Sequence, residues 1–188
     1  MHTEETYDVG IDPAFQCNAE DLLLSALHHV GDAIAFRRVN GDESPWIEQV
    51  TNLLTSHPDP FVRAQLAERC SLRQLRRSVT DEHVSVRLLS VTNPFAIDLD
   101  IQLVLAEDPD ELVVHAFLDR HIPYRETVLK LIKCEHTSVR YRLASTNLAN
   151  DLLSQLAHDH DSSVAKVARF TLANRYRKVA ARSEVHHG

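Results

Sequence analysis

Three arginines, Arg63, Arg87 and Arg140, each follow directly on a valine in runs of related sequence. That spacing sets up a ladder of guanidinium groups along one face, able to grip carboxylates or phosphates through paired N–H donors. Val114 and Ala165 break the series at the equivalent positions. A second basic group, Arg69, Arg73, Arg76 and Arg77, lies within LAERCSLRQLRRSV, and on a helix residues 73, 76 and 77 share a face. It reads either as an anion or acidic-partner site, or as a solvated face offset by Glu68, Asp81 and Glu82. A third group is Lys166, Arg169, Arg175, Arg177, Lys178 and Arg182, with no acid between Asp161 and Glu184. Such a run suits nucleic acid or an acidic protein surface, and equally a basic end cap that complements a helix dipole.

Catalytic and metal chemistry find less to work with. Twelve histidines include His28-His29, His158-Asp159-His160 and the triplet Cys134-Glu135-His136. A zinc site needs three or four converging donors, and two neighbours on a turn do not make one. No G-x-S-x-G, P-loop, CxxC or HExxH pattern occurs. The expectation is therefore no catalytic residue, no metal and no cofactor. Cys17, Cys70 and Cys134 are odd in number and far apart, which fits a reducing compartment better than a disulfide framework. Cys70 and Cys134 read as small buried apolar residues.

Composition sets the frame. With 188 residues, 44% hydrophobic and 25% charged, the chain is long enough for a real core and ordinary for a soluble protein. Four glycines and 6% aromatics argue against a sheet-rich fold and a Gly-rich phosphate loop. No apolar run approaches the ~20 residues of a membrane span. The acidic start MHTEETYDVGIDPAF lacks a secretion-signal pattern, so a cytoplasmic location is expected. Sixteen arginines against four lysines suggest a GC-rich, bacterial genome. Net charge is -7; residues 1–60 hold eleven acids and two bases, and the remainder sixteen acids and eighteen bases. That balance disfavours generic nucleic-acid binding without excluding a local basic face.

The elements that must position these residues recur. Aligning Val62, Val86, Val113, Val139 and Val164 gives spacings of 24, 27, 26 and 25 residues, a period that signals stacked supersecondary units. Three positions before each valine stands Asp59, His83, Asp110, His136 or Asp161, of which Asp is a good N-cap and His is not. Five positions before stands His57, Asp81, Asp108, Cys134 or Asp159, and Pro58 and Pro109 share the slot between. Second helical patterns lie between, at Leu72 to Val79, Ala96 to Ala106, Tyr124 to Cys134 and Ala149 to His158. Neither helix of a pair can bury itself alone, so the pairs must stack.

HPDPFVRAQLAERC and DPDELVVHAFLDR resemble HEAT-like repeats and the leucine-rich repeat variant, whose units run DPDxxVRxxLA. The resemblance covers roughly residues 53–175. It implies a curved array of helix pairs binding protein or nucleic acid along one face. It also implies that the arginine after the valine bonds the capping Asp or carbonyls of a neighbouring unit, with Asp59 placed for this. The iron–sulfur centre of one such family is not carried over, since only Cys17 precedes residue 53, nor is a di-iron hydroxylase, since no His-Glu dipeptide occurs. A resemblance to alkylpurine DNA glycosylases is weak.

The expected fold is all-α: a right-handed α-solenoid of about five stacked helix pairs. Residues 1–17 form a flexible acidic arm, 18–55 capping helices, 53–175 the repeats, 162–182 a basic terminal helix and 183–188 a tail. The expected function is a non-enzymatic adaptor that binds a protein partner on the concave face, with Arg63, Arg87 and Arg140 as polar contacts. The alternative is a nucleic-acid binder using residues 69–77 and 166–182. Neither the partner nor the oligomeric state can be read from the sequence.

Overall fold

The computed structural model describes residues 45–185 together with His29 and Gly31, and side chains from 48 to 177. The acidic arm, the first capping helix apart from His29 and Gly31, residues 186–188 and the side chains of Lys178 and Arg182 lie outside the described residues. The described chain is all-α, with ten α-helices, one 3-10 turn and no strand. In order these are α1 (Pro45–Thr55), α2 (Pro60–Ala67), α3 (Leu72–Ser78), α4 (Val84–Ser90), the 3-10 turn (Pro94–Ile97) and α5 (Leu99–Leu105). Then follow α6 (Glu111–Arg120), α7 (Arg125–Leu131), α8 (Thr137–Ala144), α9 (Asn150–Leu156) and α10 (Ser162–Val185). No helix among the described residues is long and apolar enough to cross a membrane.

Local chemistry starts and stops these helices. Asp59 Oδ1 accepts from Phe61 N at 2.9 Å, with Pro60 in the first turn, and Asp110 Oδ1 accepts from Leu112 N at 2.9 Å. Asp161 Oδ1 does the same for Ser163 N at 2.9 Å. His83 caps after all, though weakly: its Nδ1 accepts from Ser85 N at 3.4 Å. His136 makes no side-chain cap. The pattern over Ala96 to Ala106 predicts one helix, but the chain breaks there. Asp98, extended at ψ 136°, ends the 3-10 turn and recaps α5 through Asp100 N and Ile101 N. Helix α10 runs past residue 182, where the sequence places its end, to Val185, because no Gly or Pro stops it.

Helices α2, α4, α6, α8 and α10 pack successively on one another. Beside them α1 packs on α3, α3 on the 3-10 turn and α5 on α7. One apolar cluster runs from Cys70 and Leu75 through Leu105, Phe117 and Leu131 to Leu156 and Ala168, and a smaller one, Ala64, Ala67 and Val86, joins α2 to α4. Each fully buried Leu or Phe contributes about 1.5–3 kcal/mol, so the shared core outweighs any single polar link.

Buried amides stitch the connections. Asn93, fully buried, donates through Nδ2 to Ala67 O at 2.8 Å and Cys70 O at 3.1 Å, while its Oδ1 accepts from Phe95 N at 2.9 Å. Gln102 Oε1 accepts from Tyr124 N at 2.9 Å and Thr127 Oγ1 at 3.1 Å. No buried side-chain polar atom among the described residues lacks a partner.

Candidate functional site

The turns that lead into α4, α6 and α10 are each tied to the preceding helix of the first row by one arginine. Arg63, on α2, donates from Nε to Asp81 Oδ2 at 2.7 Å and from Nη2 to Asp81 Oδ1 at 2.9 Å. Its Nη1 donates to His57 O at 2.8 Å and Pro58 O at 2.9 Å. Arg87, on α4, repeats this on Asp108 at 2.8 and 3.1 Å and on the carbonyls of Asp81 and Glu82 at 2.9 and 3.2 Å. Arg140, on α8, does so with Asp159 at 2.8 and 3.2 Å and with Cys134 O and Glu135 O at 2.7 and 3.1 Å. Each guanidinium thus closes its own turn with one nitrogen and grips the next turn with the other two.

The receiving carboxylates do double duty. Asp81, Asp108 and Asp159 each accept, through Oδ1, the backbone N–H two residues on, at 2.9, 2.8 and 2.8 Å. Burial pushes the Asp81 and Asp159 carboxyls upward. The facing guanidinium and the backbone N–H outweigh it and hold both below the usual carboxylate range. The hydrogen bond to Asp81 in turn raises Arg63, and that to Asp108 raises Arg87.

These arginines face inward: the side chains of Arg63 and Arg87 are 11% exposed and that of Arg140 is 2% exposed. Their donors are committed within the chain. Asp59, the partner suggested by family resemblance, instead caps its own helix.

Between successive helices of the first row the series has one gap, and both halves of the pair are missing from it together; Ala165 lies on the last helix, α10. Val114, fully buried, replaces the arginine, and Cys134 replaces the aspartate of the following turn. His136 compensates by reaching back across the joint, with its Nε2 3.0 Å from Asp108 O. Elsewhere the arginine bonds the carbonyl at this position. Burial raises the Cys134 thiol, and its Sγ lies 3.7 Å from His136 O.

The remaining cations are mostly paired. Arg73 meets Glu48 at 2.7 Å, Arg76 meets Asp100 at 3.0 Å, and Arg69 meets Glu68 at 3.2 Å. Arg69 also lies against helical Gly31, where an added Cβ would come 3.0 Å from its Cδ. Arg125 pairs with Asp151 and Lys130 with Glu107. On α10, Arg169 Nε donates to Ala157 O at 3.0 Å, and Arg175 ties down the α8–α9 connection through Leu148 O, Asn147 Oδ1 and Asn150 Oδ1. Arg77, Lys166 and Arg177 are exposed. No group of three or more metal-ligating side chains stands together among the described residues. Cys70 is buried, its Sγ donating to Ala67 O at 3.3 Å.

No protein-family model, curated protein or solved structure matches this chain.

Two features escape the motif reading. The first is Asp81, Asp108 and Asp159, which read as turn residues and act as half of each joint. The signal for them was present: Asp follows wherever Arg precedes, and Cys134 follows Val114. The second is an apolar strip on two adjacent connections, Phe95 and Ile97 before α5 and Ile122 and Tyr124 before α7. Tyr124 N on Gln102 and His121 Nε2 on Val91 O at 2.7 Å hold these connections side by side. Ile97 is 58% exposed and Ile122 93%.

Proposed function

We propose that this chain is a non-enzymatic scaffold that binds a protein partner. In this reading it is a HEAT-like or leucine-rich-repeat-variant α-solenoid, right-handed, of about five helix pairs. The partner lies along the concave face formed by the second helices of the pairs, anchored by the apolar strip at its edge. Arg63, Arg87 and Arg140 set the curvature of that face from within. The 24- to 27-residue period and the recurring fork from one pair to the next support the architecture.

One observation carries the function: Phe95, Ile97, Ile122 and Tyr124 are exposed together on adjacent connections. Exposed apolar side chains held on two adjacent connections favour a protein contact. The nucleic-acid alternative draws less support, because Arg73 and Arg76 sit opposite Glu48 and Asp100. Phosphates would have to compete with those carboxylates.

The test is affinity capture from nuclease-treated lysate, with wild type beside Ile97→Asp/Ile122→Asp. A discrete partner retained by the wild type at raised salt and lost by the variant supports the scaffold. Recovery that depends on intact nucleic acid contradicts it.

A further inference from the structure

The turns leading into α4, α6, α8 and α10 stack on one another, and a cleft opens between successive turns. Three of these clefts are directly comparable. The cleft holding Arg87 and Asp108 measures about 300 Å³, and that holding Arg140 and Asp159 about 400 Å³. The middle cleft, between the turns at 106–109 and 133–136, has no such pair and measures about 600 Å³. It is the largest of the three, and it lies at the joint that lacks both the guanidinium and the carboxylate.

The larger cleft is not a loose joint. His136 supplies the missing bond to Asp108 O. Helices α6 and α8 are clamped on their outer side, where Ser138 Oγ donates to Glu111 at 2.6 Å and lies 3.1 Å from His115 Nε2. Arg142 donates to Asp119 at 2.6 Å on the same side. The walls keep their hydrogen bonds while the space stays open, which is the condition for a preformed small-molecule site.

We propose that this cleft binds a small organic monoacid, a single carboxylate on an apolar body. Ala106, Pro109 and Leu129 supply apolar wall, and Cys134 adds a half-buried thiol to the lining. Lys130 and Lys133 both line the cleft, and Lys130 is already neutralised by Glu107. Lys133 has no such carboxylate among the described residues and is the group that meets the ligand's charge. Glu107, Asp108 and Glu135 also line the cleft; Lys130 offsets the first and Arg87 the second, so a second negative charge on the ligand would face Glu135 with no cation to meet it, which disfavours phosphates and dicarboxylates. This site is independent of the scaffold surface, and its test does not require the partner.

The experiment is a titration of the full chain with hydrocinnamate, its alcohol and its amine, followed by amide NMR shifts at residues 106–109 and 129–136. Hydrocinnamate should saturate and bind about tenfold more tightly than the alcohol, with the amine weakest. Lys133→Ala, an exposed change, should bring the carboxylate down to the alcohol's affinity. Val114→Arg/Cys134→Asp, which refills the cleft with the pair used at the other joints, should abolish binding. Absence of saturable shifts overturns the proposal. So does equal binding of amine and carboxylate, or binding unchanged by the refilling variant with its helicity intact.

Discussion

Arg140 and Asp159 meet at 2.8 Å across 19 residues of sequence, with 2% and 5% of their side chains exposed. A pair this dry is held by geometry as much as by charge. The bidentate contact, two carbonyls and a backbone N–H leave little of either group unsatisfied.

Removing one partner strands the other. Arg140→Ala should therefore cost about 3–5 kcal/mol in denaturant unfolding. Arg140→Lys keeps the charge but cannot reproduce the fork, and should recover only part of the loss. Arg63→Ala and Arg87→Ala, at more exposed joints, should cost less than Arg140→Ala. An Arg140→Ala loss below about 1 kcal/mol would show the pair to be incidental.

The same pairs make stability depend on acid. The folded-state pKa values of Asp81 and Asp159 lie below the unfolded carboxylate value of about 3.9. Their stabilisation is therefore complete above about pH 4 and is lost as the pH falls through the folded values. Melting temperature should drop steeply below that point in the wild type. The slope should be shallower in Asp81→Asn/Asp159→Asn, measured by circular dichroism across the acid range.

The gap in the series can be filled. Val114→Arg alone buries an unpaired cation and Cys134→Asp alone a carboxylate without its fork, so each should destabilise. Together they rebuild the joint seen at Arg63–Asp81, and the double-mutant cycle should give a favourable coupling of about 1–3 kcal/mol. Additive losses would mean that the backbone at this joint no longer fits a guanidinium.

Gln102 links two connections and is buried at 1% exposure. Gln102→Leu leaves Tyr124 N and the Thr127 hydroxyl without their acceptor, and should cost about 2 kcal/mol. Arg76→Ala, whose salt bridge to Asp100 is exposed, should cost under about 1 kcal/mol and less still at high salt.

The helical rows were legible because their signals are local and repeated. The leading valines, the capping Asp59, Asp110 and Asp161 and the Leu-rich second helices each fix their own segment. Asp98 was not legible as a break, since its flanks Ile97, Leu99 and Ile101 keep apolar spacing on both sides. The arginines were found but their direction was not. Spacing says that residues 63, 87 and 140 are equivalent, but which way a guanidinium turns depends on a carboxylate 18 to 21 residues ahead. The middle cleft was hidden for the same reason, because it lies at the joint where two distant positions both lack the pair. The strip was hidden because Ile97 merged into the helical pattern over 96–106, while Ile122 fell in a linker, where an isolated apolar residue carries no periodicity.

In the proposed function the arginine forks hold the scaffold while another surface binds the partner. The most direct measurement is partner capture by Arg140→Met/Asp159→Asn, with helicity confirmed by circular dichroism. This variant removes the charge pair, while the amide oxygen introduced at position 159 can still accept the Asp161 N–H. Capture should equal that of wild type, with a lowered melting temperature. A folded variant of wild-type helicity that no longer captures the partner would place Arg140 at the interface and contradict the proposed function.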